Sequence, residues 1–432
     1  MKNRKLIIIS NDALVREDIE YLKTKPCIKQ LIDGGSFVET LKSVYPTITY
    51  CCHTSMITGA YPNKTGVYNN IVDELNSRAW HWERKSIKVK TLVDAFKEKG
   101  RTVANCFWPV LGNDKNIDYN VPEYWSQSPD DNLCDAFRRM GTSEQVIEEI
   151  VKPNLYYIEG HQRQHPYCDE FVFACARDMI LKYQPDLLVV HPAGIDGMRH
   201  KKGLFNEYVT EQLDYTYYWI EKILRAVQET GNLENTDIIL TSDHGQIDIK
   251  RWCHPNVLLN NMGLLEVDEN GKAINAKAYA KPVGGSVQIF VVDKNDKETF
   301  DKIYKTFTEY AQTGMYGFER IYTKEEAEKE ERLSGAFDFV LESDGYTAFG
   351  GDFVGSYYTK YDLSDYCIGR GTHGYLPDKG PQPCMICYGP DFKSGVKIPR
   401  RPTVDMVATV KEIFDLDMPD IDGQPIEEII KR

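Results

Sequence analysis

The chain has 432 residues, 42% hydrophobic and 27% charged, an ordinary globular mixture with room for one large domain and a smaller one. Its formal net charge of −13 excludes a broad electrostatic grip on duplex nucleic acid, while a small anion stays compatible wherever bound cations reverse the local field. No apolar run approaches the ~18 residues of a membrane span, so no membrane partner is expected.

The first apolar run, Leu6–Ser10, is too short for a signal-peptide core and predicts a buried strand. The 11 cysteines are odd in number, lack zinc-ribbon spacing and include the adjacent Cys51 and Cys52, which fits reduced thiols and a cytoplasmic location. A short helix is predicted from Tyr50, closed by Gly59, and another over Lys90–Lys99 before Gly100. Thr102–Phe107, Asp186–His191 and Asp237–Thr241 are further strands, apolar on both faces. Between the last two, Glu207–Thr230 has helical spacing and stops at Gly231. Strands alternating with helices predict an α/β fold: a doubly wound, mostly parallel sheet with helices on both faces.

After His254 the texture changes. Ser286–Val292 predicts a strand, Lys297–Thr313 an amphipathic helix, and Lys324–Arg332 a charge run on a solvated helix. Residues 251–367 are expected to form an inserted α+β cap, with 1–250 and 368–432 forming the core.

In such sheets ligands sit at the carboxyl ends of the strands. There the runs are followed by Asp12, by Asp196 with His200 four residues on, and by Asp243-His244. His373 can join them from its Gly-flanked loop. Carboxylate and imidazole together suit zinc, manganese or iron. Asp196 and His200 share one helical face, and Asp12, Asp243 and His244 can hold a second ion. Two divalent ions about 3.5–4 Å apart would clamp an in-line displacement. Taken singly, Asp12 reads as a helix N-cap and His200 as a surface histidine; convergence on one sheet edge gives them weight.

In Tyr45-Pro46-Thr47-Ile48-Thr49-Tyr50, Pro46 and the β-branched residues favour an extended approach, which sets Thr49 at a helix N-terminus. Free N–H groups favour an anion there, and a hydroxyl beside a metal can ionise and attack phosphorus. The plainer reading of Thr49 is an N-cap. Trp108, just past a strand, can stack on a flat group or belong to the core.

This segment, with Gly59-Ala60-Tyr61-Pro62 and Asn69-Asn70 after it, resembles the nucleotide pyrophosphatase/phosphodiesterase family of the alkaline phosphatase superfamily. The resemblance implies Thr49 as nucleophile and Asn70 as a ligand of a non-bridging phosphate oxygen. It further implies one zinc held by Asp196, His200 and His373, and another held by Asp12, Asp243 and His244 and touching Thr49. Where the family usually has Phe-Pro-Asn after the nucleophile this chain has Tyr50-Cys51-Cys52, and Asp12-Ala13 replaces Asp-Gly. The implied activity is hydrolysis of phosphodiester or nucleotide pyrophosphate bonds in a small substrate through a phospho-threonine. A phosphonate hydrolase of the same superfamily would need a pocket cation for a substrate carboxylate, for which Lys64 and Lys201 are candidates. A non-catalytic metal-binding relative is the remaining alternative.

Overall fold

The structure, a computed structural model, describes residues 4–361 and 369–432. Its main sheet has eight strands: β1 (Lys5–Ser10), β2 (Ser36–Lys42), β3 (Val103–Cys106), β4 (Tyr119–Val121), β5 (Leu187–Val190), β6 (Thr236–Thr241), β7 (Met385–Tyr388) and β8 (Val396–Pro402). Their order is β8-β2-β7-β6-β1-β5-β3-β4. Only β7 runs against its neighbours; every other pairing is parallel. The four apolar runs are the adjacent strands β6, β1, β5 and β3.

Their two-sided apolarity has a direct cause. Ile7, Ile9, Leu188 and Val190 enter one core, against helices Tyr167–Tyr183 and Glu207–Glu229. Leu6, Ile8, Leu187 and Val189 enter the other, against helices Thr49–Thr58, Leu92–Glu98 and Asp405–Phe414. Each such side chain contributes about 1.5–3 kcal/mol when fully buried. Sequence periodicity missed β8, which reads Val-Lys-Ile-Pro-Arg-Arg-Pro. It is an edge strand, where charges and prolines discourage further pairing.

Ala278–Pro282, Ser286–Val291, Phe318–Thr323 and Phe339–Ser343 build a separate four-stranded antiparallel sheet. Helix Lys297–Thr313 closes one face through Ile303 and Phe307. The other face sets Phe290, Tyr322 and Val340 against Tyr45 and Tyr68. The charge run forms helix Lys324–Glu331, capped by Thr323, with only Ala327 buried. Ile247–Asp248 pairs with Gly371–Thr372 where the chain leaves for this region and returns. The expected boundary at 367–368 lies outside the described residues. No described helix is long and apolar enough to cross a membrane.

Candidate active site

Parallel pairing puts the strand ends side by side. Past β1, the Asn11 N–H donates to the Thr241 carbonyl at 2.9 Å and the Asp12 N–H to the Pro192 carbonyl at 3.0 Å. Asp12, the 192–196 loop and Asp243-His244 therefore share one edge. Helix Gly194–Lys202 carries Asp196 in its first turn and His200 one turn later. It must begin with glycine, because a Cβ at Gly194 would meet Asp169 Oδ2 at 2.0 Å. His373 arrives on the returning loop, where Gly374 at φ 92° passes tightly under the Val283 carbonyl.

Ligand atoms of Asp196, His200 and His373 lie within 4.8 Å of one another, as do those of Asp12, Asp196 and His244. Asp196 thus reaches both groups. Its Oδ2 is 3.3 Å from His200 Nε2 and its Oδ1 3.8 Å from His373 Nε2. His244 Nε2 is 3.5 Å from Asp12 Oδ1 and 3.1 Å from Asp243 Oδ2. All six residues are buried.

Two features make this set fit divalent cations. Each imidazole turns Nδ1 toward a backbone carbonyl: His200 to Gly371 at 2.7 Å, His244 to Gly245 at 3.2 Å and His373 to Thr47 at 3.1 Å. A carbonyl only accepts, so Nδ1 carries the proton and the Nε2 lone pair faces the cluster. In addition, Asp12 Oδ1 and Asp243 Oδ2 are buried with no hydrogen-bond partner. Two such oxygens need a cation or a proton. Burial, then the charges of Asp243 and Asp196, holds the Asp12 carboxyl well above its usual range; burial pushes Asp243 up to about 7. Burial also lowers His244 to about 4, which keeps its imidazole neutral and ligating. Burial opposes ionisation of Asp196, but His200, His373 and His244 outweigh it and bring the carboxyl below its usual range.

Thr49 opens helix Thr49–Thr58, which Gly59 closes in the left-handed region at φ 71°. Thr49 is not the cap. The Tyr50 N–H donates to Asn70 Oδ1 at 2.9 Å, so Asn70 occupies the helix end and the Thr49 hydroxyl stays free for the cluster, 3.3 Å from His244 Nε2. His53, one turn on, donates from Nδ1 to the Thr49 carbonyl at 2.9 Å and lies 3.0 Å from Ser10 Oγ through Nε2.

Thr49, Asn70, Asp12, Asp196 and His373 open on a cavity of about 600 Å³. Its aromatic wall is Trp80, Phe107 and Trp125. Trp108 must be corrected. It is fully buried, donates from Nε1 to the His53 carbonyl at 3.3 Å and supports His53 from behind. Lys64 is ion-paired with Asp422 at 2.7 Å and is not among the cavity residues, whereas Lys201 is. Cys52 is buried at 3.2 Å from Ser43 Oγ, and burial raises its pKa well above the usual thiol range, so it is an inert thiol.

Sequence reasoning missed several supporting groups. His191 Nε2 stands 3.1 Å from Asp12 Oδ2. Gln246 donates from Nε2 to Asp196, at 3.1 Å to its carbonyl and also to Oδ1. Glu123, raised by burial to about 8, lines the cavity. Glu342, from the smaller sheet, reaches the loops on either side of the site. It accepts from Tyr45 Oη at 2.9 Å and the Leu376 N–H at 3.0 Å, and pairs with Lys379 Nζ at 2.9 Å.

The sequence model of the family described as type I phosphodiesterase / nucleotide pyrophosphatase matches residues 6–376. Ectonucleotide pyrophosphatase/phosphodiesterase family member 1 of Mus musculus is 22% identical over 267 residues, covering 57% of this chain and 25% of that protein. This chain therefore spans about a quarter of that relative's length. Among solved structures, human ectonucleotide pyrophosphatase/phosphodiesterase 5 superposes with a TM-score of 0.69 at 15% identity, over 99% of this chain and 100% of that one. An inactive murine counterpart in complex with AMP gives 0.67 at 14% identity, with the same coverage. This likeness shows the fold, an alkaline phosphatase-like sheet flanked by helices. The family match reaches from before Asp12 to beyond His373, and the chain belongs to the type I phosphodiesterase / nucleotide pyrophosphatase family.

Proposed function

We propose that the chain is a two-metal hydrolase that cleaves phosphodiester or nucleotide pyrophosphate bonds through a phospho-threonine on Thr49. The observation that carries this reading is the Thr49 hydroxyl, uncommitted to helix capping and 3.3 Å from His244 Nε2, beside two buried carboxylate oxygens without partners. The AMP held by the murine relative supports a nucleotide-sized substrate.

Asp196, His200 and His373 would hold one divalent ion and Asp12, Asp243 and His244 the other. Zinc suits this donor set best, with manganese and iron compatible. When bound, the pair supplies charge stabilisation on both the attacking and the leaving side of phosphorus. Thr49 Oγ bonds to phosphorus as its proton passes to solvent; the bond to the leaving oxygen breaks, and that oxygen keeps the electron pair and is protonated. Water then attacks the same phosphorus, the bond to Thr49 Oγ breaks, and the hydroxyl regains a proton. Asn70, its Oδ1 held by the Tyr50 N–H, presents its amide N–H groups to a non-bridging oxygen. His244 and His373 hold their rings still through Nδ1. Residues 251–367 serve as a cap whose sheet leans on Tyr45 and Tyr68, on either side of the nucleophile.

Turnover of a thymidine 5′-monophosphate p-nitrophenyl ester is expected to exceed that of p-nitrophenyl phosphate and of phosphonoacetate. Phosphonoacetate as the best substrate would favour the phosphonate reading, which Lys201 and Arg163 in the cavity keep open. Thr49→Ala should lose roughly a thousandfold or more in kcat with its metal content intact. Retained turnover in that variant would place the nucleophile elsewhere, and a filled protein without turnover would be a metal-binding relative.

A further inference from the structure

Two basic side chains line the cavity, and Glu123, the acid on which Arg163 acts electrostatically, makes no ion pair with it. Arg163, on the loop before helix Tyr167–Tyr183, and Lys201, next to His200 on helix Gly194–Lys202, both line it. Among the described residues neither has a hydrogen-bond or ion-pair partner. Many other basic side chains here do; Lys64, near the same motifs, is bound to Asp422 and the Asp420 carbonyl. In a chain of net charge −13, two cations left open toward the site oppose the overall field.

The loop that carries Arg163 is fixed to the site. His165 rests against Gly197, where a Cβ would meet its Cδ2 at 2.7 Å. Its Nδ1 is 3.1 Å from Asp169 Oδ1. Asp169 is buried and also accepts the Ala193 N–H at 3.0 Å and Gln212 Nε2 at 3.0 Å. Arg163 is thereby moored to the start of the helix that presents Asp196, His200 and Lys201. Of the cavity carboxylates, Asp12 and Asp196 belong to the candidate metal cluster, and burial holds Glu123 up to about 8 against the pull of Arg163, so it opposes these cations little near neutral pH.

We infer that Arg163 and Lys201 form a subsite for a second anionic group of the substrate, a phosphate or a carboxylate separate from the phosphoryl centre at Thr49. The aromatic wall of Trp80 and Trp125 receives the flat part of such a molecule. This rests on the proposed hydrolase reading and narrows its substrate class to phosphorus esters or anhydrides that carry extra negative charge.

The test compares substrates on the metal-loaded, full-length protein. The double variant Arg163→Gln, Lys201→Gln is assayed on adenosine 5′-triphosphate, on phosphonoacetate and on bis(p-nitrophenyl) phosphate, which has no second anion. The ratio of kcat/KM for the better doubly anionic substrate to that for bis(p-nitrophenyl) phosphate should fall by about tenfold or more, mainly through KM. Loss confined to the triphosphate assigns the subsite to phosphate; loss confined to phosphonoacetate assigns it to carboxylate. Lys64→Gln should leave the ratio unchanged. An unchanged ratio in the double variant overturns the inference. If the wild type turns over none of the three, the hydrolase reading fails separately. Calorimetry with methylenebisphosphonate then decides the subsite: binding about tenfold weaker in the double variant upholds it, and equal binding overturns it.

Discussion

The two ends of the main sheet both bury acidic groups, with different outcomes. At the start of β6, Asp237 is buried beside Asp391, accepts the Asp391 N–H at 3.1 Å, and leaves its Oδ2 without a partner. Arg4 Nε lies 3.3 Å from Asp391, and no imidazole contributes a ligand among the described residues. At the other end of the same strands, Asp12 and Asp243 have partnerless oxygens of the same kind, but His244 turns Nε2 toward them while His200 and His373 turn theirs toward the neighbouring Asp196. Burial raises Asp237 to about 8, where the simplest remedy is a shared proton. A buried carboxylate alone therefore does not mark a metal centre. Neutral imidazoles with their Nδ1 atoms already committed are what distinguish it.

Breaking the proposed catalytic end should cost most. His373→Ala removes one such Nε2, and metal stoichiometry should fall from two to one with roughly a thousandfold loss in kcat, read by elemental analysis and steady-state kinetics. A kinetically normal variant with both metals would remove His373 from the cluster. Chelation comes next: each ion supplied at about 1,000 times its Kd stabilises the fold by about 4 kcal/mol, so a chelator should lower the unfolding midpoint by a corresponding amount. Asp237→Asn should show the same drop, since among the described residues no group of metal-ligating side chains lies at its end of the sheet. Gln246→Ala, which frees Asp196, should weaken metal binding about 10–100-fold in a competition titration. The smallest effect belongs to Asp237 itself. Its folded-state pKa lies above its unfolded one, so its stabilisation is present at low pH and lost as pH rises through about 8. From about pH 7 to about pH 9 the wild type should lose about 1–2 kcal/mol more than Asp237→Asn in chemical denaturation. Parallel curves would show that Asp237 does not titrate in that window.

The contrast also explains what could be read without coordinates. The four central strands were legible because burial on both faces leaves continuous apolar runs, and Asp12, Asp196 and Asp243 were legible because they follow those runs. The lone antiparallel β7 and the charged edge β8 carry no such signature. His53, His191, Glu123 and Gln246 stand at no telling spacing; only the folded sheet brings them together. Trp108 misled because a residue just past a strand end can turn inward, while Trp80 and Trp125 lie in irregular segments without periodicity. Thr49 was placed at its helix end, but which residue caps that end could not be known before Asn70 was seen to reach it.

Glu342 carries a practical consequence. It lies in the inserted sheet, yet Tyr45 and Lys379, which it satisfies, belong to the two stretches that bring Thr49 and His373 into place. A trimmed enzyme lacking that sheet would strand a buried tyrosine hydroxyl and a lysine ammonium beside the candidate active site. Chimeras that exchange the insert between relatives must carry the glutamate and the lysine as a matched set, or the graft will disturb the machinery it was meant only to cover.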